Sequence, residues 1–241
     1  MNNDIVINPK YEPLRNWIST VPDRFYNEGT VIYDARNQIR TMVAPDGTKV
    51  CVKRFHCPAW LNRIVYTWWR TPKAVRAYDN ARMLAVHGIG TPAAIGYILV
   101  RTGKLLAESY LISCQSELSH NFYEFRHHPL QGYEDVVRAF ARFTAYMHEQ
   151  QILHKDYSPG NILWDCTADG KIAFELVDIN RMQTGKPINI DTACRNFCRL
   201  WGNEDFFLLL ADEYAKQRGM DRSQCRYLTL KYWRRFWRFR K

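Results

Sequence analysis

From residue 29 to 54, GTVIYDARNQIRTMVAPDGTKVCVKR, apolar and polar positions alternate in short bursts separated by turn formers. Period two marks strands with one buried face, so the pattern predicts three antiparallel strands over residues 30–34, 38–44 and 49–54, with a Pro45-Asp46-Gly47 turn before the last. The period then changes. KAVRAYDNARMLAVH, residues 73–87, has helical spacing and is closed by Gly88, with Pro92 beyond. Two apolar runs, AAIGYILV (93–100) and LLAESYLIS (105–113), flank Thr102-Gly103-Lys104 and predict a hairpin.

Five strands with one main helix after the third make a small antiparallel-sheet N-lobe, residues 1–113. Residues 114–132 are polar and broken by Pro and Gly. Residues 133–151 then read as a long amphipathic helix with Val137, Phe140, Phe143, Thr144 and Met147 on one side. Residues 161–164 and 173–177 flank a Thr167-Ala168-Asp169-Gly170 turn, giving a second hairpin that ends in Asp178, and the chain from residue 191 on reads as helix. The expected fold class is therefore α+β, with a mostly helical C-lobe over residues 114–241.

Composition narrows the class. With 241 residues and 46% hydrophobic content the chain buries a real core. Seven cysteines, at 51, 57, 114, 166, 194, 198 and 225, form no C-x-x-C pair and lack the histidine spacing of a zinc site, so they read as reduced thiols in a cytosolic protein. No signal-like start and no apolar run of about 18 residues is found, which argues against secretion and against a membrane span.

Chemistry concentrates in LHKDYSPGNILWD, residues 153–165. His154, Asp156 and Asn161 fit H-x-D-x-x-x-x-N, and Val177-Asp178-Ile179-Asn180 follows the hairpin. Phosphoryl transfer to a hydroxyl uses these residue types in this order: one carboxylate to orient and deprotonate the acceptor, then an amide oxygen and a second carboxylate to hold Mg2+ on the nucleotide phosphates. Upstream, Val50-Cys51-Val52-Lys53 places a lysine on the third strand, where it reaches phosphates. Each signal is weak alone; their order along the chain is specific.

With Lys53-Arg54-Phe55, Gly88-Ile89-Gly90-Thr91-Pro92, His154-Lys155-Asp156, Ser158-Pro159-Gly160-Asn161 and Val177-Asp178-Ile179-Asn180-Arg181, the chain resembles the bacterial lipopolysaccharide kinase family over about residues 25–220. That resemblance implies a two-lobed protein-kinase-like fold in which Lys53 sits on the ATP phosphates, Asp156 is the catalytic base, Asn161 and Asp178 are Mg2+ ligands, and His154 braces the loop. It departs from related kinases in three ways. No G-x-G-x-x-G lies between residues 20 and 50, Ala77 stands where a glutamate pairs with the strand lysine, and Ser158 stands where serine/threonine protein kinases carry lysine. The first and third, with no A-P-E-like segment after Asp178, point toward a sugar hydroxyl of lipopolysaccharide core or a related glycolipid. The alternatives are an aminoglycoside- or choline-type phosphotransferase and, from Ala77, a catalytically degenerate membrane-associated pseudokinase.

The net charge of +10 is concentrated at one end, since residues 226–241, RYLTLKYWRRFWRFRK, hold seven basic residues and no acid. At helical spacing Leu228, Leu230, Tyr232, Trp233, Phe236, Trp237 and Phe239 share one face while Lys231, Arg234, Arg235, Arg238 and Lys241 share the other. One reading is an interfacial helix on an anionic inner-membrane surface, which places the protein in the cytoplasm, peripheral on the inner face of the inner membrane. The other is a tail packed on the C-lobe. WLNRIVYTWWRTPKAVR, residues 60–76, is a second basic, aromatic stretch. Recognised nucleic-acid modules are absent, which argues against nucleic acid as the anionic partner.

Overall fold

The computed structural model describes residues 2–35, 37–56, 71–126 and 130–238. The chain divides into two compact units, Met1–Val86 with Pro92–Ser116 and His87–Thr91 with Glu117–Lys241.

The first unit is built on an antiparallel sheet of order β1-β5-β6-β4-β3-β2, with strands Asn2–Ile7 (β1), Thr30–Asp34 (β2), Asn37–Val43 (β3), Lys49–Phe55 (β4), Ala94–Thr102 (β5) and Leu105–Cys114 (β6). Strand β1 has no counterpart in the predicted pattern; it extends the sheet along β5, with Ile5 opposite Ile98. Short helices Arg15–Ser19 (α1) and Val21–Arg24 (α2) lay Trp17, Ile18 and Val21, followed by Phe25, over Met42, Val50, Val52, Tyr110 and Ile112. Each fully buried aliphatic side chain of this core contributes roughly 1.5–3 kcal/mol.

Because strand side chains alternate, Lys53 stands on the face opposite Val50 and Val52. It belongs to a cross-strand row running Ile39, Lys53, Leu111, Tyr97. Helix Lys73–Val86 (α3) packs beside β5 and β6, with the Tyr78 ring edge-on to Tyr97 at 5.4 Å. Its buried side is Ala74, Ala77, Tyr78, Ala81 and Leu84, whereas Asp79 is exposed.

In the second unit, helices Glu134–Glu149 (α4), Ile190–Asn196 (α5), Glu204–Arg218 (α6) and Arg222–Trp237 (α7) surround small strands His120–Asn121 (β7), Leu153–His154 (β8), Ile162–Cys166 (β9), Ile172–Leu176 (β10) and Met182–Gln183 (β11). The apolar stripe of α4, including Val137, Phe140, Ala141 and Met147, is buried; α4 packs against α6, which turns Phe206, Phe207, Leu210 and Tyr214 inward, while Phe140 meets Phe122, Tyr157 and Phe174. The predicted second hairpin is β9 and β10, paired antiparallel from Ile162–Leu176 to Cys166–Ile172.

Helix α7 starts at Arg222, ahead of the basic tail, and packs against α5 and α6. Trp233 lies on Phe207 with ring centres 4.7 Å apart, Trp237 Nε1–H donates to the Leu200 carbonyl at 3.3 Å, and the Tyr232 hydroxyl donates to Asp191. Tyr232, Trp233 and Trp237, expected at headgroup depth, are engaged inside the unit, while Lys231, Arg234 and Arg235 are exposed together with Tyr227. Among the described residues no helix is long and apolar enough to cross a membrane. Residues 60–70 of the other basic stretch, and Phe239 and Lys241 of the tail, lie outside the described residues.

Candidate active site

The H-x-D-x-x-x-x-N segment runs from β8 through a turn of 3-10 helix, Pro159–Asn161, into β9. Strand β8 pairs with β11, His154 opposite Met182, so the residues after Asp178 return beside the start of the loop. Lys155 N–H donates to the Arg181 carbonyl at 2.9 Å and continues that pairing.

His154 is fully buried and its ring is used at both nitrogens. Nδ1 accepts from the Asp156 backbone N–H at 3.1 Å, so the proton sits on Nε2, which donates to the Val177 carbonyl at 3.1 Å. Burial pushes the His154 pKa down, in keeping with this neutral tautomer. The expected bracing role thus has a geometry: one imidazole ties the loop before Asp156 to the strand end before Asp178.

Asn161 supplies the second tie. Its Nδ2 donates to the Asp156 carbonyl at 2.9 Å, and its own carbonyl accepts from Val177 N–H at 3.0 Å. Committing the amide nitrogen to the loop leaves Oδ1 as the atom turned away from that bond, an acceptor held in a fixed orientation.

Asp178 follows directly and has φ of +52°, a left-handed conformation that costs a non-glycine residue about 1–2 kcal/mol. Strain of this kind is kept where the surroundings over-determine it, and functional sites are its usual location. The Asn180 amide donates to Asp178 Oδ1. Below the loop, Tyr157 is buried, stacked on Phe140 at 5.6 Å, and donates to Thr144 Oγ1 at 2.8 Å, which anchors the segment to α4.

Asp156 itself keeps 23% of its side chain accessible and carries two arginines. Its Oδ1 is ion-paired with Arg199 Nη1, and Oδ2 lies 3.9 Å from Arg181 Nη1. Beside it the half-exposed Tyr123 ring leans over Gly160, so near that a Cβ there would lie 2.6 Å from the ring, and it packs on Trp201 at 4.6 Å.

The structure therefore brings together His154, Asp156, Asn161 and Asp178 within the second unit, while Lys53 stands on β4 of the first. Sequence reasoning missed Arg199, which is 43 residues downstream of Asp156 with no motif around it. Arg181 and Asn180 lay inside the quoted Val177–Arg181 segment without a role. Among the described residues no group of three or more His, Cys, Asp or Glu could hold a metal ion. An amide oxygen and one carboxylate instead suit a hard cation that keeps water and phosphate oxygens in its shell.

A family model described as the lipopolysaccharide kinase (Kdo/WaaP) family matches residues 32–202. Among solved structures, WaaP in complex with acyl carrier protein is similar at 15% identity and a TM-score of 0.64, with 97% of this chain and 99% of that chain covered. The complex of Rio2 kinase with ADP, Mg2+ and phosphoaspartate from Chaetomium thermophilum matches at 10% identity and a TM-score of 0.49, over 95% of this chain and 71% of that one. No curated protein matches the sequence. The WaaP likeness, spanning nearly all of both chains, shows the protein-kinase-like α+β fold.

Proposed function

The chain belongs to the lipopolysaccharide kinase (Kdo/WaaP) family and is a lipopolysaccharide kinase, and we propose that it moves the γ-phosphate of ATP to a sugar hydroxyl of the inner core or a closely related glycolipid. The observation that carries this reading is the knot formed by His154, Asn161 and Val177, which fixes Asp156 and Asp178 on two consecutive segments.

In this reading Asp156 receives the acceptor hydroxyl and takes its proton, with the backbone on either side clamped by His154 Nδ1 and Asn161 Nδ2. Asn161 Oδ1 and the Asp178 carboxylate are the Mg2+ ligands, a donor set that fits because the Asn161 amide nitrogen is already engaged. Lys53 holds nucleotide phosphates. Bound Mg-ATP supplies the phosphoryl group and neutralises its charge. Tyr123, exposed beside Gly160, offers a ring face on which a sugar can stack. Neither the small-molecule phosphotransferase nor the pseudokinase reading is favoured by the family match.

The cationic outward side of α7 supports association with an anionic inner-membrane surface from the cytoplasm, where the glycolipid acceptor would be met. Here attraction comes from Lys231 and Arg235 rather than from inserted rings, Arg234 being paired with Glu204 at 2.7 Å.

Purified protein incubated with Mg-ATP and core glycolipid tests the reading. Asp156→Ala is expected to lose roughly 100-fold or more in rate, the usual worth of a positioned base. A variant as fast as wild type would remove Asp156 from the mechanism.

A further inference from the structure

In the structure one oxygen of the proposed base is occupied and a second cation stands near the other, with 23% of the side chain still accessible. Arg199 occupies Asp156 Oδ1, and Arg181 stands 3.9 Å from Oδ2. A carboxylate oxygen held by a guanidinium is a poor receiver for an acceptor hydroxyl, so something must draw Arg199 aside or share it during turnover. Both arginines are reachable by a ligand, with 41% and 56% of their side chains exposed. Arg199 is steadied from its other side by the Phe236 ring, 5.8 Å from the guanidinium. Guanidinium presents five N–H donors in a planar fork, and the pair with Asp156 uses one nitrogen, leaving donors matched to a second anion. Counting only these three side chains, one carboxylate and two arginines leave one positive charge that a ligand can neutralise.

We infer that Arg199 and Arg181 select the acceptor by its charge: the sugar that offers its hydroxyl to Asp156 carries a carboxylate or phosphate close by. That anion takes up the Arg199 fork and bares Asp156 Oδ1, so the base is exposed when a suitable acceptor is seated. Arg199 is thus a specificity-determining residue. The inference rests on the reading of Asp156 as the residue that receives the acceptor.

Steady-state kinetics on three acceptors test it: inner-core glycolipid as purified, the same glycolipid with its sugar carboxylates methyl-esterified, and the same after phosphatase treatment. Wild type should lose roughly 10- to 100-fold in kcat/KM, the worth of one charge-assisted pair, on whichever form has lost the recognised anion, and that arm tells carboxylate from phosphate. Arg199→Met lacks the fork but leaves Asp156 Oδ1 uncovered, so it should use untreated and neutralised acceptors about equally, losing a similar factor on the first and nothing on the second relative to wild type. Arg199→Lys, which keeps charge without the fork, should fall between them. The comparison is a ratio within each variant, so a partly unfolded preparation does not imitate the result. Equal losses for Arg199→Met on charged and neutralised acceptors would assign Arg199 to the transferred phosphate or to loop structure and overturn the inference. If wild type transfers phosphate equally well to all three forms, the inference falls while the kinase reading stands. If it transfers to none of them, both fall.

Discussion

Gly88 and Gly90 stand two residues apart in the link that follows α3, and they are glycine for different reasons. Gly88 has φ of +65° with open space where a Cβ would point, so its requirement is conformational. Gly90 lies so near β10 that a Cβ would fall 1.9 Å from the Phe174 carbonyl oxygen. Around that contact Leu176 N–H donates to the Gly90 carbonyl at 2.9 Å, and the Thr91 hydroxyl donates to the Leu176 carbonyl at 2.8 Å. Gly88→Ala should therefore cost about 1 kcal/mol in urea unfolding, while Gly90→Ala should cost about 3 kcal/mol or more, because a backbone carbonyl has to move. The second substitution also disturbs the strand that delivers Asp178 and should lower kinase activity in the fraction that folds; equal costs at the two positions would contradict this division. At this scale His154, Asp156, Asn161 and Asp178 were legible because one short loop and one hairpin must carry them, which fixes their spacing. Arg199 was not, since it reaches Asp156 from beyond α5 through folding alone. Ala77 is buried on α3 and Asp79 is exposed.

Helix α7 shows what periodicity can and does not convey. The spacing of its aromatic and basic residues identifies two faces, but an amphipathic pattern does not say whether a membrane or the chain's own fold covers the apolar one. Here α5 and α6 cover it, and an ion cluster fixes the start of the helix: Arg222 and Arg226 both pair with Asp212 on α6. Burial raises the Asp212 carboxyl, but hydrogen bonds and charge from the two arginines outweigh it and hold the pKa at about 2. A carboxyl depressed in this way stabilises the fold above its unfolded pKa, near 4, and loses that contribution as pH falls toward 2. Asp212→Asn should therefore destabilise the protein by about 1–2 kcal/mol at neutral pH, after allowance for the exposed arginines, with the gap closing below about pH 3. Thermal melts of both proteins at several pH values check it; a gap that persists at low pH would mean that packing, not charge, is lost. Strand β1 was the element least visible in sequence. Only three of its six residues, NNDIVI, are apolar, and they run consecutively instead of alternating.

For the molecule as a whole, burial shifts ionisable groups in both the first and the second unit, and the shifts matter at opposite ends of the pH range. In the first, burial pushes Cys51 up to about 11, and burial followed by a hydrogen bond to Cys114 pushes Tyr11 up to about 12. Both stay neutral through the acid range and matter only in alkali, where the unfolded chain releases their protons first. The second unit buries His148 and His154 as neutral imidazoles. Burial, then the nearby charge of Arg218, lowers the His148 pKa to about 3, and burial lowers that of His154. The sign follows from proton uptake. Below the ordinary histidine pKa of about 6.5 the unfolded chain binds protons at both sites and the folded chain does not, so stability falls as pH falls. Between pH 7.5 and 5.5, His148 alone should account for about 1.4 kcal/mol of that loss. His148 Nδ1 also bonds the Tyr214 hydroxyl at 2.9 Å, joining α4 to α6, so its removal has a constant cost as well. Comparing urea unfolding of wild type and His148→Gln at the two pH values separates the terms. Wild type should be the more stable at pH 7.5, and its advantage should shrink by about 1.4 kcal/mol at pH 5.5, because glutamine has no proton to take up. An advantage that stays constant would mean that His148 gains its proton without unfolding, and the acid sensitivity would then pass to His154 in the loop before Asp156.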